Sequence, residues 1–392
     1  MISVQFLAIL SLVVLSTFDS VVIPYLRLSV ADISIIGVLF ALGVSKQGMH
    51  RSIYYLIIGV GIFFIVNSIV YLTHTILHEE TFELRQLFRG ILRPVLFIFL
   101  AINLYYSLRK CNIDGRRLYA ALSIGGGLLT IIVLTQYTGH WPAQYHNNPA
   151  FSESGRWTFF NEGWRPTGLS NEASFVGIFL VLILSLQIYL KENIALGKSK
   201  LLAIAPYITL IGCFLTTSRI AFLIGVFLLI IHMRLGYKLL FISIAILFIL
   251  FFENFVPVRI LALGSFDGDA STLVRYGSNL AFINAILSGN YILGVGYLNG
   301  SNVAMQYANP AVLEAHGDLI LPAFSVPLQL MLELGLPLFF LALFILIYKR
   351  KCIFTLPIIT VMLASLVTGI QNFVFVYIFI SLAVYAKHSL CR

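Results

Sequence analysis

The sequence predicts an all-α polytopic membrane protein with about twelve transmembrane helices in one integral membrane domain, residues 1–392. Hydrophobic residues make up 59% of the chain and charged residues only 10%, whereas a soluble domain carries about 25% charged residues. Apolar runs of roughly 17–25 residues, the length that crosses a bilayer as a helix, recur along the whole chain. The alternating pattern of barrel strands is missing, so helices are the expected way to satisfy the backbone in lipid.

The predicted spans follow the apolar runs. The first lacks a basic n-region and a small-residue cleavage site, so we expect a membrane anchor and not a cleaved signal peptide. The second is short, and a tight turn at Arg219 separates the seventh from the eighth. The predicted bounds are 3–19, 29–45, 53–73, 90–108, 117–137, 172–190, 199–216, 218–233, 237–254, 323–348, 352–369 and 372–387.

The basic residues predict the orientation. With both termini inside, sixteen of the 25 basic residues, including all nine lysines, fall in the cytoplasmic segments, and the nine outer ones are all arginine. This agrees with the positive-inside rule. The net charge of +9 is therefore expected from topology, and because the basic residues are spread over many loops we expect no nucleic-acid partner.

The cysteines agree with this topology. Cys111, Cys352 and Cys391 fall on the predicted cytoplasmic side and Cys213 lies within a span. We therefore expect no disulfide on the outer face.

The larger polar segments all fall on the predicted outer face, at residues 74–89, 138–171 and 255–322. Arg85 and Arg89 lie in the first of these segments, and Arg93 lies in the helix that follows it. The three recur every four residues and so share one helical face, with no glutamate three or four residues away. They are candidates for binding a lipid-linked phosphate or pyrophosphate. The alternative is an interfacial amphipathic helix on anionic headgroups.

The second outer segment ends in WTFFNEGWRPTGLSNEASF, just before a predicted helix. Ser170 or Asn171 can cap that helix, with Glu172 in its first turn. Capping and interface-anchoring tryptophans would explain most of the stretch, but not Arg165 beside a positive helix end. A helix N-terminus with a nearby arginine predicts an anion site, and Trp164 offers a platform for a sugar ring.

Two further features lie at the predicted outer rim. Arg219, in TTSRIAF, stands close to hydrocarbon, where a charge either has a function or reaches up to the headgroups. The third outer segment is too long for an unstructured loop. It predicts a helix over 272–287 with Arg275 in its first turn, followed by the glycine-rich ILGVGYLN.

Acidic residues and a histidine follow in the sequence. Glu314, His316 and Asp318 lie within five residues, either as a solvated turn or with a general base among them. Glu333 falls inside a predicted span, where a carboxylate is expected to pair with an arginine or to line a cavity.

Four stretches occur in order over roughly residues 155–345, and they are RPTGLSNEASF (segment 1), TTSRIAF (segment 2), ILGVGYLN (segment 3) and LQLMLELGLPLFF (segment 4). As an ordered set they resemble the O-antigen polymerase/ligase superfamily of bacterial inner-membrane enzymes. The resemblance implies a glycosyltransferase C-type architecture with a periplasmic site. It also implies sugar substrates carried on undecaprenyl pyrophosphate and no metal or nucleotide cofactor.

The resemblance assigns roles to outer residues. Arg165, Arg219 and Arg275 are the positions carried over as catalytic arginines that stabilise the leaving pyrophosphate. Three residues are alternatives for accepting the proton of the attacking hydroxyl, and they are Glu172, His316 and Asp318. The expected substrate-binding residues are Arg85, Arg89, Arg93, Arg156, Arg259 and Trp164.

Within the superfamily, the sequence favours the polymerase, acting in lipopolysaccharide biosynthesis with a chain-length regulator as a possible partner. Ligases typically place a His-Asn or similar pair eleven residues before the glycine of segment 4, but here those positions hold Phe324 and Ser325. Ligation of polymer to lipid A core is therefore the close alternative. A transporter is the alternative of a different class, and it should carry charges or broken helices near mid-membrane.

Overall fold

The described part of the chain is all-α apart from one pair of two-residue strands, so the predicted all-α class is confirmed. The computed structural model describes residues 4–15, 22–23, 28–29, 33, 35–39, 54, 58, 61–62, 65–74, 76, 92–138, 166, 173–194, 200–216, 218–232, 270–288, 291–296, 299–316, 323–348, 355–367 and 374–390.

Thirteen α-helices have described bounds, and residues 35–39 and 65–74 are helical as well. In chain order they are α1 (Val4–Leu15), α2 (Leu92–Cys111), α3 (Gly115–Tyr137), α4 (Ala173–Asn193), α5 (Lys200–Leu215), α6 (Arg219–His232), α7 (Ala270–Ser288), α8 (Gly300–Met305), α9 (Pro310–His316), α10 (Val326–Leu334), α11 (Leu336–Tyr348), α12 (Leu356–Val367) and α13 (Val374–Leu390). A 3₁₀ turn, Tyr291–Leu293, lies between α7 and α8.

A pair of short strands reaches the start of the second predicted span. Strand β1 (Val22–Ile23) pairs antiparallel with β2 (Leu28–Ser29), Val22 opposite Ser29. The prediction that a span begins at residue 29 is therefore wrong at its start, because backbone groups there bond to the preceding strand.

Most predicted spans with described residues correspond to helices. The predictions match α2, α3, α4, α5, α6, α12 and α13 to within four residues at each end. By length and composition, two described helices, Gly115–Tyr137 and Ser174–Asn193, could cross a membrane, and several apolar helices are shorter. The span predicted over 237–254 lies outside the described residues. The number of spans stays a prediction.

The span predicted over 323–348 is not continuous. It divides at Gly335 into α10 and α11. Gly335 adopts φ 83° and ψ 157°, a conformation that glycine reaches without strain because it has no Cβ. The carbonyls of Leu332 and Glu333 accept hydrogen bonds from the backbone N–H groups of Val295 and Gly296 at 3.0 and 2.9 Å. These bonds satisfy the last turn of α10 from outside the helix.

Helix α4 forms the centre of the main bundle. It packs against α3, α5, α6, α12 and α13, and most of its side chains are buried.

Small residues allow α3 and α5 to approach each other closely. A Cβ on Gly126 would lie 2.7 Å from the Thr209 hydroxyl, and one on Gly212 would lie 2.4 Å from that of Thr130. The Thr130 hydroxyl also donates across to the Ile208 carbonyl at 3.3 Å.

A second, smaller core joins α7, α8, α9 and α10, and we call the described residues within 270–316 and 323–336 the small lobe. Phe282 and Leu332 are fully buried in it. The sequence correctly predicts a folded element here, with α7 running over Ala270–Ser288. Arg275 is in the second turn of α7 and not the first as predicted, because the helix begins two residues earlier.

Two backbone segments of the small lobe pack closely against each other at Gly294 and Gly335. A Cβ on Gly294 (φ 94°) would lie 2.6 Å from the Gly335 nitrogen, and a Cβ on Gly335 would lie 2.4 Å from the Leu293 carbonyl carbon. Because both neighbours are backbone, no side chain can rotate to make room. We call this contact, residues 293–296 with 332–335, the glycine clasp.

Gly335→Ala should therefore lower the free energy of unfolding by several kcal/mol. Strained backbone contributes about 1–3 kcal/mol and overpacking another ~1–3 kcal/mol. Gly127→Ala is the matched control, since a Cβ there meets no atom within 4 Å and alanine favours a helix interior. Thermal unfolding of the purified protein would show the difference, and equal Tm values for the two variants would contradict the clasp.

Candidate functional site

Arg275 joins the small lobe to the main bundle. Its Nη2 donates to Ser174 Oγ, 3.3 Å away, and Ser174 lies almost fully buried in the first turn of α4. The guanidinium carbon also lies 5.1 Å from the ring centroid of Phe324, just before α10. A cation over an aromatic face is attracted by the ring quadrupole. The half-buried arginine is thus held between the beginnings of α4 and α10.

The beginning of α4 packs tightly on segment 2. A Cβ on Gly177 would lie 2.8 Å from Ala221 Cβ, 3.0 Å from Ser218 Cβ and 3.0 Å from Thr216 Oγ1. Gly177 is three residues after Ser174 and so lies about one turn along the same face. Helix α4 therefore packs on segment 2 about one turn after Ser174, the residue that binds Arg275.

Segment 2 forms the cap of α6. Buried Ser218 accepts a bond from the Ala221 N–H through its hydroxyl at 3.4 Å, and from the Phe222 N–H through its carbonyl at 2.9 Å. This is the N-cap arrangement that serine favours. Arg219, the first residue of α6, is half-buried. Its position in the chain thus puts a second arginine at the end of the bundle where α4 begins.

This end of the bundle is suited to an anion. The helix dipoles of α4 and α6 place partial positive charge at their first turns, and Arg219 and Arg275 add two full charges there. Cations are unfavourable at helix N-termini unless an anion is present. We call the group Ser174, Gly177, Ser218, Arg219, Arg275 and Phe324 the candidate site.

Glu333 lies inside the small lobe. Its carboxylate is fully buried, and Oε1 accepts a hydrogen bond from Gln329 Nε2 at 2.8 Å. A Cβ on Gly300 would lie 2.9 Å from Glu333 Cγ. Gln329 precedes Glu333 by four residues, a spacing that places both side chains on one helical face and that could have identified the pair from sequence.

Other predicted site residues are described in part or not at all. Arg93 is the second residue of α2 and His316 the last of α9, with only their backbones described, while Glu314 is exposed on α9. Outside the described residues lie Arg85, Arg89, Arg156, Trp164, Arg165, Glu172, Arg259 and Asp318.

The sequence interpretation did not identify Ser174, Ser218 and Phe324 as site residues. Ser218 had a detectable signal, because serine directly before an apolar helix is a common N-cap. The partnership of Ser174 with Arg275 joins residues 101 positions apart and has no local signal. Within the described ranges, no group of three His, Cys, Asp or Glu side chains is placed to hold a metal ion.

Comparison with known proteins does not assign a family. No protein-family model matches the chain, and no curated protein matches it.

The contact at Gly177 predicts a specific rescue. Gly177→Ala alone should destabilise the protein by about 1–3 kcal/mol through overpacking, and Ala221→Gly alone by ~1 kcal/mol through helix propensity. The double variant removes the closest clash, so its loss in free energy of unfolding should be about 1 kcal/mol smaller than the sum of the two single losses. Denaturant unfolding of all four proteins measures this coupling. Gly127→Ala combined with Ala221→Gly is the control pair, for which strict additivity is expected; additivity at Gly177 would disprove the contact.

Proposed function

We propose that the protein is a multi-span inner-membrane glycosyltransferase of about twelve helices that polymerises lipid-linked polysaccharide repeat units, an O-antigen polymerase. The proposal has two parts, membrane insertion and the reaction, and each is supported by its own observations.

Exposed apolar stripes support membrane insertion. Between residues 62 and 76, five large aliphatic side chains spaced three or four residues apart are between 44% and 75% exposed, and they are Ile62, Ile65, Ile69, Leu72 and Ile76. A similar stripe runs along α3. Soluble monomers rarely expose contiguous apolar surface of this kind, whereas lipid covers it without loss. Small residues between α3 and α5 are also typical of helix packing in membranes.

Contacts at the helix ends support the predicted topology. At the end predicted to be cytoplasmic, Tyr385 Oη donates to the Ile113 carbonyl at 2.8 Å, and the Glu192 carboxylate contacts the His232 ring. The first contact joins α13 to the turn before α3, and the second joins the end of α4 to the end of α6. At the other end, Arg275 reaches Ser174. Residues assigned to one side of the membrane are thus neighbours of residues assigned to the same side.

Thiol labelling tests this topology. In a variant with Cys352 and Cys391 replaced by serine, a membrane-impermeant maleimide should label an introduced Glu314→Cys in intact spheroplasts, because Glu314 is exposed in the outer segment. Cys111 should label only after permeabilisation. Burial raises the pKa of the Cys111 thiol, with Lys110 acting in the opposite direction, so its labelling should accelerate as pH rises. Labelling of Cys111 from outside would contradict the orientation.

One observation carries the proposed reaction: the four segments that resemble the superfamily are spatial neighbours. Gly177, two residues after segment 1, packs on segment 2, and segment 3 bonds to segment 4 in the glycine clasp. Arg275 reaches Ser174 of segment 1 and the ring of Phe324, which lies four residues before segment 4. Described residues of distant sequence stretches thus approach one another near the beginning of α4. Such convergence supports a shared site.

The chemistry follows from the charges. Transfer breaks the bond between the anomeric carbon of the growing chain and the pyrophosphate oxygen, and a hydroxyl of the acceptor repeat unit forms the new glycosidic bond. The departing undecaprenyl pyrophosphate gains negative charge. In this proposal Arg219, Arg275 and the two helix N-termini stabilise that charge, an electrostatic contribution that is usually the largest in catalysis. The hydroxyl proton passes to a general base, for which Glu172, His316 and Asp318 stay the predicted alternatives.

Deleting the gene in its native host and complementing it with variants tests the function. The deletion strain should lose the lipopolysaccharide ladder and keep core plus one repeat unit. Arg275→Ala should fail to restore the ladder, with activity lower by about 100-fold, because one stabilising donor group is removed. Arg117→Ala should restore it fully, since that exposed arginine lies at the opposite end of the bundle.

The other outcomes discriminate the alternatives. Core without any O-antigen, together with accumulated lipid-linked polymer, would identify a ligase. Repeat units retained on the cytoplasmic leaflet would identify a transporter. An unchanged ladder in the deletion strain would contradict a role in O-antigen synthesis.

A further inference from the structure

A groove of about 400 Å³ runs between α2 and α13, and none of the residues that line it belongs to the candidate site. Its walls are aliphatic and aromatic, and they include Ile98, Ala101, Tyr105, Tyr377, Ile380 and Val384. Ile98 and Val384 are 42% and 46% exposed, so the groove opens on the surface of the bundle. Its volume lies in the range of roughly 300–1,000 Å³ that is typical of small-molecule sites.

The two helices are fixed to each other beneath the groove. The Ser381 hydroxyl donates to the Ala101 carbonyl at 2.7 Å and to the Tyr377 carbonyl at 3.0 Å. Phe97 and Tyr377 add a ring contact at 5.5 Å. The groove is therefore a preformed feature of the α2–α13 packing, with its serine hydroxyl already committed to backbone carbonyls.

Basic residues stand at one end of the groove. Arg109 and Lys110 lie in the last turn of α2, and Lys387 and His388 lie in the last turn of α13. Arg109 follows Tyr105 by four residues and Lys387 follows Val384 by three, so each continues a face that lines the groove.

Two further contacts occur at the basic end of the groove. His388 meets the ring of Tyr105 edge-on at 6.3 Å, joining the two helices. Asp114, the closest acidic residue in sequence, accepts a hydrogen bond from the Arg116 N–H as the cap of α3. The groove thus has an apolar length and a cationic end.

We infer that this groove binds an anionic phospholipid of the cytoplasmic leaflet, with an acyl chain along α2 and α13 and the phosphate at Arg109 and Lys387. The inference rests on the membrane insertion proposed above. A lipid has the same division as the groove, an apolar chain that ends in a phosphate. Basic residues near the cytoplasmic surface attract anionic headgroups more strongly than zwitterionic ones.

The order of apolar and charged residues along the groove matches one lipid molecule. From Ile98 to Tyr106 the groove spans eight residues, about 12 Å of helix. The basic residues Arg109 and Lys387 follow in the last turns of the two helices. An acyl chain that ends in a phosphate has the same order.

Native mass spectrometry of the full-length protein in detergent tests the inference, with phosphatidylglycerol and phosphatidylcholine as probes. Phosphatidylglycerol should bind more tightly than phosphatidylcholine. The double variant Arg109→Gln/Lys387→Gln should weaken phosphatidylglycerol binding by about 10- to 30-fold, as expected for two headgroup contacts. Arg117→Gln, which removes an exposed charge from α3 at the same end of the bundle, should leave binding unchanged.

Ala101→Phe tests the apolar part independently, because it fills the groove and keeps every charge. It should reduce binding of both lipids, with a Tm close to that of the unmodified protein. Equal binding of the two lipids, unchanged binding in either groove variant, or displacement of phosphatidylglycerol by equimolar undecaprenyl phosphate would overturn the inference.

This test is separable from the proposed function. Lipid binding is measured without activity, and the ladder assay is run without reference to the groove. Absence of binding with a ladder that depends on Arg275 would remove the lipid site alone. Extraction of the chain from membranes by alkaline carbonate would remove both proposals.

Discussion

The arrangement of the candidate site depends on a backbone contact, the glycine clasp. The N–H groups of residues 295 and 296 end helix α10 by bonding to its last carbonyls, and two glycines with positive φ let the chains approach closely enough to do so. The clasp fixes α10 relative to the turn that follows α7. Phe324 precedes α10 and Arg275 lies on α7, so their cation–π contact depends on backbone geometry about ten residues from Phe324 and about twenty from Arg275.

Sequence reasoning succeeded where the signal is local. Apolar length defined α2 to α6, α12 and α13 because each is a continuous run bounded by polar residues. The break at Gly335 was missed because leucine and phenylalanine surround it and keep the hydropathy high. Gly335 followed by Pro337 is nevertheless a helix-stop pattern. What could not be foreseen is the partner: the bonds from residues 295 and 296 join segments nearly forty residues apart.

The candidate site shows the same limit. Arg219 and Arg275 could be selected from sequence, because a charge beside an apolar run is costly and usually functional. Two of their supporting residues could not, since Ser174 and Gly177 read as ordinary members of an apolar helix. Gly177 in particular has no signal of its own. Its role comes from Ala221 and Ser218 on another helix, whose side chains occupy the space a Cβ would need.

The two ends of the bundle hold their arginines differently. Arg109, Arg116 and Arg117, at the end predicted to be cytoplasmic, are exposed, whereas Arg219 and Arg275 are half-buried. An exposed cation retains its hydration and can serve topology or lipid headgroups at little cost. A half-buried cation loses part of that hydration, and contacts with protein groups must replace it. Arg275 does so with a hydroxyl and an aromatic face, which a planar guanidinium can use together. Desolvation also strengthens the attraction between a guanidinium and an anion, so the same burial that constrains Arg275 suits it to an anionic ligand.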